Sequence, residues 1–246
     1  MLYFIISLFS TIIGAIVGIG GGLIIRPLLA NIGVTKSLAS FTSSVVVLSM
    51  TVVTLLTYMK HGAKIEVKKL FLLASGSIIG GFIGGTLLKY VNENFIDMSY
   101  IFMLLLVLLS VIFRKKIPEI NIKNPLGQII IGIITGGLSG FFGIGGGPFQ
   151  VTALIVFFGE DPREAAIDSV FITFLTTLSS LTKYTMNGYM DFSIALFMIP
   201  AAIIGGYAGS KINRKISSNK VSAIFIASVL FIIVMQSFTI VYKYMN

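Results

Sequence analysis

The chain has 246 residues, of which 56% are hydrophobic and 11% are charged, with a formal net charge of +9 and no cysteine. A soluble domain carries about a quarter charged residues, so this composition excludes an ordinary soluble protein and predicts an integral membrane protein. The net charge does not indicate nucleic-acid binding, because the lysines and arginines lie in short segments between apolar runs, where such residues set membrane orientation.

Ten apolar segments follow one another along the chain, five in each half. We predict helices over 1–17, 23–33, 36–59, 68–89, 97–113, 125–142, 148–159, 162–186, 191–210 and 219–241. The second segment of each half is short, since a helix of that length rises roughly 17 Å against a hydrocarbon core of about 30 Å. Neither short segment can cross a bilayer alone, so we expect the chain to break immediately before each of them.

A five-residue glycine cluster, GIGGG, stands before each short segment, at Gly18–Gly22 and at Gly143–Gly147. Further stretches of the first half match stretches of the second half, in the same order and at an almost constant offset. This pattern predicts an internal duplication, as in many secondary transporters. We therefore divide the chain into a first transmembrane repeat at 1–116, a cytoplasmic linker at 117–124 and a second repeat at 125–246. The further matching stretches are Ala39–Ser43 with Ala165–Ser169, Tyr58–Gly62 with Tyr184–Gly188, and Gly80–Gly85 with Gly205–Ser210.

The distribution of basic residues distinguishes two arrangements of the repeats. If each break is a hairpin that returns to its own side, the repeats are inverted, and 13 of the 18 lysines and arginines lie on one side against 4 on the other. If the chain continues across at each break, the repeats are parallel and the tally is 10 against 7. The positive-inside rule favours the inverted arrangement, with both termini outside and Lys64, Lys115 and Lys215 on the cytoplasmic side.

The glycines at the two breaks predict a binding site. Irregular backbone inside a membrane is tolerated only where it is buried in protein or lines a cavity. Glycine reaches positive φ and lets another group approach the backbone, and the helix start that follows each cluster favours an anion. Close helix packing is the alternative, and we adopt it for the G-x-x-x-G patterns that begin at Gly80, Gly81 and Gly205. The glycines expected to contact an anion are Gly20, Gly21, Gly22, Gly145, Gly146 and Gly147.

These motifs together resemble a known family. Two repeats that each contain a G-x-G-G-G turn, a short helix and then an A-x-x-[TD]-S element are similar to the TauE/SafE sulfite exporter family, the TSUP permeases, over nearly the whole chain. The resemblance implies a membrane permease for sulfite, thiosulfate, sulfoacetate or a related sulfur-containing anion. The chain departs from the expected pattern at Arg26, which precedes Pro27, and at Thr152, which replaces the aligned proline. The substrate within this class therefore stays open.

Polar groups within the apolar segments complete the predicted site. Arg26 could bind the anion through its fixed charge, or it could snorkel to the interface or form a structural pair. Asp168 could carry a coupling proton, pair with Arg26, or be a solvated acid near the cytoplasmic end. Hydroxyl and amide donors could bind an oxyanion, and the hydroxyls could instead bond to their own helix backbone. The candidate donors are Thr42, Ser43, Ser169 and Gln150.

We predict an all-α integral membrane protein of two inverted repeats, each with a glycine-broken hairpin and three transmembrane helices. The predicted function is secondary transport of a small sulfur-containing anion, bound at the midplane between the two glycine turns, in the cell membrane of a prokaryote. An anion channel of the same fold is the alternative. An enzyme is not expected, since it would need a cluster of His, Asp, Glu or Cys at one depth and only Asp168 is available. We expect no cofactor, metal or nucleic acid; the expected partners are the anion, the lipid bilayer and, as a candidate, protons, and the oligomeric state stays open.

Overall fold

The computed structural model of the protein describes residues 1–63, 65–91, 93–113 and 121–245. Seven helices in these residues are long and apolar enough to cross a membrane, and three further apolar helices are shorter. The predicted all-α membrane fold is therefore confirmed for the part of the chain that the structure describes. The helices are α1 (Leu2–Val17), α2 (Gly22–Asn31), α3 (Lys36–Lys60), α4 (Val67–Leu87), α5 (Glu93–Ile112), α6 (Pro125–Phe142), α7 (Gly147–Phe157), α8 (Pro162–Met186), α9 (Ala195–Lys215) and α10 (Ser218–Met245).

The ninth helix differs most from its prediction, while α5 begins four residues earlier and α10 ends four residues later than predicted. We predicted 191–210, whereas α9 begins four residues later and ends five residues later, at Lys215. The carboxylate of Asp191 accepts a hydrogen bond from the backbone N–H of Ser193 at 2.8 Å, which forms a local turn that competes with an earlier helix start. Basic residues occupy the last turn, where they interact favourably with the helix dipole. The predicted loop over 211–220 is therefore largely helical.

The two glycine clusters break the chain where the sequence predicts. α1 and α6 each end at the first glycine of a cluster, and α2 and α7 begin at the last glycine. Three glycines in each cluster have φ between 63° and 98°, a region that residues with a Cβ rarely enter. These glycines are Gly18, Gly20, Gly21, Gly143, Gly145 and Gly146.

Helix contacts in the two halves correspond pair by pair. α1 packs along α9 while α6 packs along α4, α3 contacts α9 while α8 contacts α4, and α3 and α8 contact each other at the centre. The hydroxyl of Tyr58 in α3 donates to the carbonyl of Ala15 in α1 at 3.2 Å, and the aligned Tyr184 in α8 donates to the carbonyl of Gly140 in α6. Each half is therefore packed largely against the other half.

Glycines make the closest of these helix contacts. A Cβ added to Gly76, Gly80 or Gly84 of α4 would overlap a backbone carbonyl oxygen of α6. A Cβ added to Gly209 of α9 would likewise overlap the carbonyl oxygen of Ile12 in α1. Because only glycine permits this approach of two backbones, the packing interpretation of the G-x-x-x-G patterns is confirmed.

Polar contacts bring several helix termini together at one end of the bundle, which we call the Glu160 end. Lys69 Nζ of α4 lies 2.7 Å from Glu160 Oε1, between α7 and α8. Arg163 Nη2 donates to the carbonyl of Arg214 at 2.5 Å, and Arg214 donates to the carbonyl of His61 at 3.2 Å. The end of α3, the start of α4, the start of α8 and the end of α9 therefore share this end.

A different ion pair lies at the opposite end, where Lys36 Nζ at the start of α3 is 2.7 Å from Asp97 Oδ2 near the start of α5. The Glu160 end carries the end of α9, so Lys215 lies there. Parts of the predicted topology fall outside the described residues, namely Lys64, Lys115 and positions 117–120 of the linker.

Candidate functional site

The two glycine clusters meet inside the protein. A Cβ added to Gly22 would overlap the carbonyl oxygen of Ile144, and a Cβ added to Gly147 would overlap the backbone of Ile19. Each turn therefore packs directly on the backbone of the other turn. The six glycines that the sequence analysis assigned to the site lie in one buried region, and two of them, Gly22 and Gly147, make this mutual packing.

The helices that follow the two turns begin without a side-chain cap. The N-cap residues of α2 and α7 are Gly21 and Gly146, which offer no capping side chain. By contrast, Asn124 Oδ1 accepts from the N–H of Leu126 at the start of α6 at 3.1 Å. The first N–H groups of a helix need partners, and a buried start that lacks them is a site where an anion can bind.

A valine and a threonine pack against the turns at the crossing of α3 and α8: Val47 contacts both turns, and Thr173 contacts the first. A Cβ on Gly20 would lie 3.0 Å from Val47 Cγ1 and 3.3 Å from Thr173 Cγ2, and a Cβ on Gly145 would lie 2.7 Å from Val47 Cγ1. Both side chains are fully buried. Val47 and Thr173 occupy aligned positions one turn beyond Ser43 and its counterpart. The sequence analysis missed them, although the repeat alignment carried the signal.

The candidate hydroxyls differ in what they contact. Ser43 Oγ lies 2.9 Å from the position that a Cβ on Gly22 would take, and it has no protein hydrogen-bond partner among the described residues. The neighbouring Thr42 hydroxyl is also buried without such a partner. Ser169 Oγ, in contrast, lies 3.1 Å from the carbonyl oxygen of Gly18 and 2.9 Å from that of Ala166. Ser43 thus faces the start of α2, whereas Ser169 bonds to backbone.

Arg26 lies inside the protein, with 2% of its surface exposed. Its Nε donates to Ser40 Oγ at 3.3 Å, and its guanidinium carbon lies 5.8 Å from the ring centroid of Tyr100. The Tyr100 hydroxyl in turn donates to the carbonyl of Leu23 at 3.0 Å. Arg26 therefore does not snorkel to the surface of the protein. It lies one turn along α2 from Gly22, within reach of the helix start.

Gln150 has a defined set of partners in the second half. Its Nε2 donates to Ser77 Oγ of α4 at 3.1 Å, and its Oε1 accepts from Thr135 Oγ1 of α6 at 3.2 Å. The residue is fully buried. These two hydrogen bonds tie α7 to α4 and α6, so Gln150 has a structural role beside any contact with substrate.

Asp168 lies toward the Glu160 end and is 9% exposed. The charged groups that act on it are Glu160, Lys69, Glu164 and Glu66, in decreasing order. Glu160 is itself buried, and its burial raises the pKa of that carboxyl above the ordinary value, although the ion pair with Lys69 opposes the rise. The structure therefore groups Asp168 with an ion pair whose carboxylate is buried and whose lysine is half-exposed.

Replacing Lys69 with methionine is expected to lower thermal stability by about 1–2 kcal/mol. The change removes the Lys69 cation from a buried carboxylate, and the half-exposed lysine limits the loss. Because burial raises the pKa of Glu160, the loss should be small at acidic pH and should grow as pH rises through that pKa. The Lys69→Met/Glu160→Gln double variant should recover stability, as measured by thermal melting in detergent between pH 4 and 8. Equal melting of all three proteins would show that the pair contributes nothing.

Within the described part of the chain, seven helices able to cross a membrane and two buried helix starts that meet are the features of a multi-pass membrane protein. The family model described as "Sulfite exporter TauE/SafE" matches residues 3–235, so the chain belongs to this family. The chain is 27% identical over 245 residues to "Probable membrane transporter protein YunE" of Bacillus subtilis, and the alignment covers 88% of this chain and 89% of that protein.

Two other relatives show the same breadth of similarity. The chain is 31% identical over 238 residues to "Probable membrane transporter protein MJ0441" of Methanocaldococcus jannaschii, with 88% of this chain and 87% of that protein covered. It is 23% identical over 212 residues to a "Probable membrane transporter protein" of Haemophilus influenzae, with 85% and 82% covered. No solved structure matches the chain significantly.

Proposed function

We propose that this protein is a secondary transporter that carries a small sulfur-containing anion, such as sulfite, thiosulfate or sulfoacetate, across the plasma membrane of a prokaryote. The anion binds near the bilayer midplane, where the two glycine turns meet. The observation that carries this proposal is the meeting of two buried, uncapped helix starts beside the buried arginine Arg26. The family description names a sulfite exporter, and the relatives come from bacteria and an archaeon.

The test is transport by purified protein in liposomes. Radiolabelled sulfite, thiosulfate, sulfoacetate and sulfate are presented outside, and uptake is measured with and without the same unlabelled anion inside. Stimulation of uptake by internal anion supports a transporter, because an anion channel of the same fold shows no such exchange. Uptake without stimulation would establish the channel, and the absence of uptake for every anion would overturn the proposal.

The two repeats are proposed to have inverted topology. The contacts at the Glu160 end support it, since they join helix termini that an inverted arrangement places on one side of the membrane. Single cysteines at Gly62 and Lys215 should both react with an impermeant maleimide from the cytoplasmic side only. A cysteine at Gly188, which is exposed at the opposite end, should react only from outside and serves as the control. Labelling of positions 62 and 215 from opposite sides would establish parallel repeats.

Asp168 is proposed to carry a coupling proton. Its burial beside Lys69 and Glu160 supports this role, because a buried carboxyl close to other charges can exchange a proton as those charges move. An imposed pH gradient should drive anion uptake by the natural protein and should fail to drive it in Asp168→Asn. Exchange of anion for anion should persist in that variant, since it needs no net proton movement. Unchanged gradient-driven uptake would exclude Asp168 from coupling.

A further inference from the structure

The two glycine turns are aligned in sequence, yet their chemistry differs. We infer that the anion is held by the first turn alone, at the start of α2, by the backbone N–H of Leu23 and the hydroxyls of Ser43 and Thr173, while the second turn is a structural support. This inference rests on the proposed function and assigns its binding site to one repeat. Four differences between the repeats carry it: one in the backbone donors, two in the hydroxyl groups and one in fixed charge.

The backbone donors differ first. In α2, the N–H groups of Ile24 and Ile25 both lie within hydrogen-bond distance of the Gly21 carbonyl oxygen, whereas the N–H of Leu23 has no acceptor among the described residues. The position of Leu23 is taken in α7 by Pro148, which has no N–H. The start of α7 therefore lacks a donor at the Leu23 position, and, in the described part of the chain, its unpaired N–H beyond Gly147 is that of Phe149, one residue further along the helix.

The aligned serines of the two repeats also differ, and the free hydroxyl is at the first turn. Ser43 Oγ is fully buried, faces Gly22 and has no protein partner in the described part of the chain. Its aligned counterpart, Ser169, directs its single hydroxyl hydrogen to the carbonyls of Gly18 or Ala166. A hydroxyl has one hydrogen to donate, so Ser169 cannot also donate to an anion while these bonds persist.

A third difference lies at the crossing of α3 and α8. Thr173 places its methyl group beside Gly20, and its hydroxyl, on the same Cβ, is buried without a partner among the described residues. The aligned residue in α3 is Val47, which has the same shape and no hydroxyl. Beside the second turn, the hydroxyl of Thr177 already donates to the carbonyl of Gly145 at 2.9 Å. Ser43 and Thr173 thus supply unused buried hydroxyls beside the first turn.

The fixed charge is the fourth difference. Arg26 follows the first turn by one helical turn, and the aligned position in α7 is the buried apolar residue Val151. Near the second turn, the polar group of Gln150 is engaged with Ser77 and Thr135. Charge, backbone donors and hydroxyl donors therefore coincide at the start of α2, where a sulfur oxyanion can replace part of its lost hydration.

The sharpest test exchanges the backbone donors of the two turns. Leu23→Pro gives α2 the Gly-Gly-Pro sequence with which α7 already begins, so the helix can form while the N–H is lost. We expect this variant and Ser43→Ala each to raise the Kd for the anion at least about tenfold, because each removes a hydrogen bond to a charged ligand. The probe is whichever of sulfite, thiosulfate or sulfoacetate the natural protein binds most tightly by calorimetry.

Matched controls come from residues outside the inferred site. Pro148→Ala restores the missing N–H to α7, and Thr176→Val removes a buried α8 hydroxyl that already donates to the Ile172 carbonyl. Both should leave the Kd unchanged, and Thr173→Val should weaken binding where Thr176→Val does not. Thermal melting without anion checks that each variant folds.

The outcomes separate the inference from the proposed function. If the natural protein binds the anion and Leu23→Pro, Ser43→Ala and Thr173→Val bind it equally well, the first-turn site is wrong while transport stands. If Pro148→Ala or Thr176→Val weakens binding as much as the test variants do, the asymmetry is wrong. If the natural protein binds none of the three anions, the proposed function fails and the inference fails with it.

Discussion

Replacement of Arg26 by glutamine is expected to weaken anion binding by about 10- to 150-fold. Hydrogen bonds to charged groups contribute roughly 1.5–3 kcal/mol, which corresponds to that range of affinity. The short helix supplies only partial charges, whereas an oxyanion inside the protein has lost much of its hydration. Arg26→Lys should recover part of the loss, because a point charge then replaces the planar fork of the guanidinium.

Calorimetry on the natural protein and both variants in one detergent measures this effect. Arg26 also contacts Ser40 and Tyr100, so thermal melting without anion separates lost binding from lost stability. Arg163→Gln removes a different arginine, at the Glu160 end, and should leave the affinity unchanged. Equal affinities for all the proteins would show that Arg26 is structural and that the anion binds without a full charge.

Alanine at Gly22 or at Gly147 is expected to abolish transport. Neither glycine has positive φ, so the effect is steric: the new Cβ would overlap the backbone of the opposite turn, closer than the 3.0 Å that real Cβ atoms keep. Relief requires the two turns to separate, and overpacking of this kind costs about 1–3 kcal/mol or more. Separation also displaces the start of α2 from Ser43, so binding should be lost together with packing.

Control variants for this prediction use glycines with positive φ and open surroundings. Gly62 and Gly188 have φ of 79° and 83°, and no atom lies within 4 Å of an added Cβ at either one. Alanine there introduces backbone strain of about 1–3 kcal/mol without any steric contact. Transport in liposomes should persist in these controls. Normal transport by Gly22→Ala and Gly147→Ala would show that contact between the two turns is dispensable.

Much of the helical framework could be predicted because its signals are local. Apolar runs of membrane length, glycine clusters that break helices and a proline after Asp161 each act within a few residues. The largest departure, α9, was also decided locally, by the hydrogen bond from the Ser193 N–H to Asp191, which composition alone does not reveal. The close packing of Gly80 and Gly84 on α6 followed from their spacing, since that spacing places both on one helix face.

The candidate site was less predictable, because its chemistry depends on tertiary contacts. The repeat alignment makes Ser43 and Ser169 equivalent, yet only one of them bonds to the carbonyl of Gly18. The sequence predicts Gln150 as a substrate contact, but the structure shows its amide group bonded to side chains on two other helices. Val47, an ordinary apolar residue in sequence, contacts both turns only because α3 and α8 cross there.

The exchange of partners between the halves has a consequence for biosynthesis. α1 packs on α9, and the Ser7 hydroxyl bonds to the Met198 carbonyl across 191 positions of chain. The glycine face of α4 likewise meets its partner only after α6 has been made. During synthesis, the first half is therefore made before the helices that it packs against. We expect its final packing to form late, when nearly the whole polypeptide has left the ribosome.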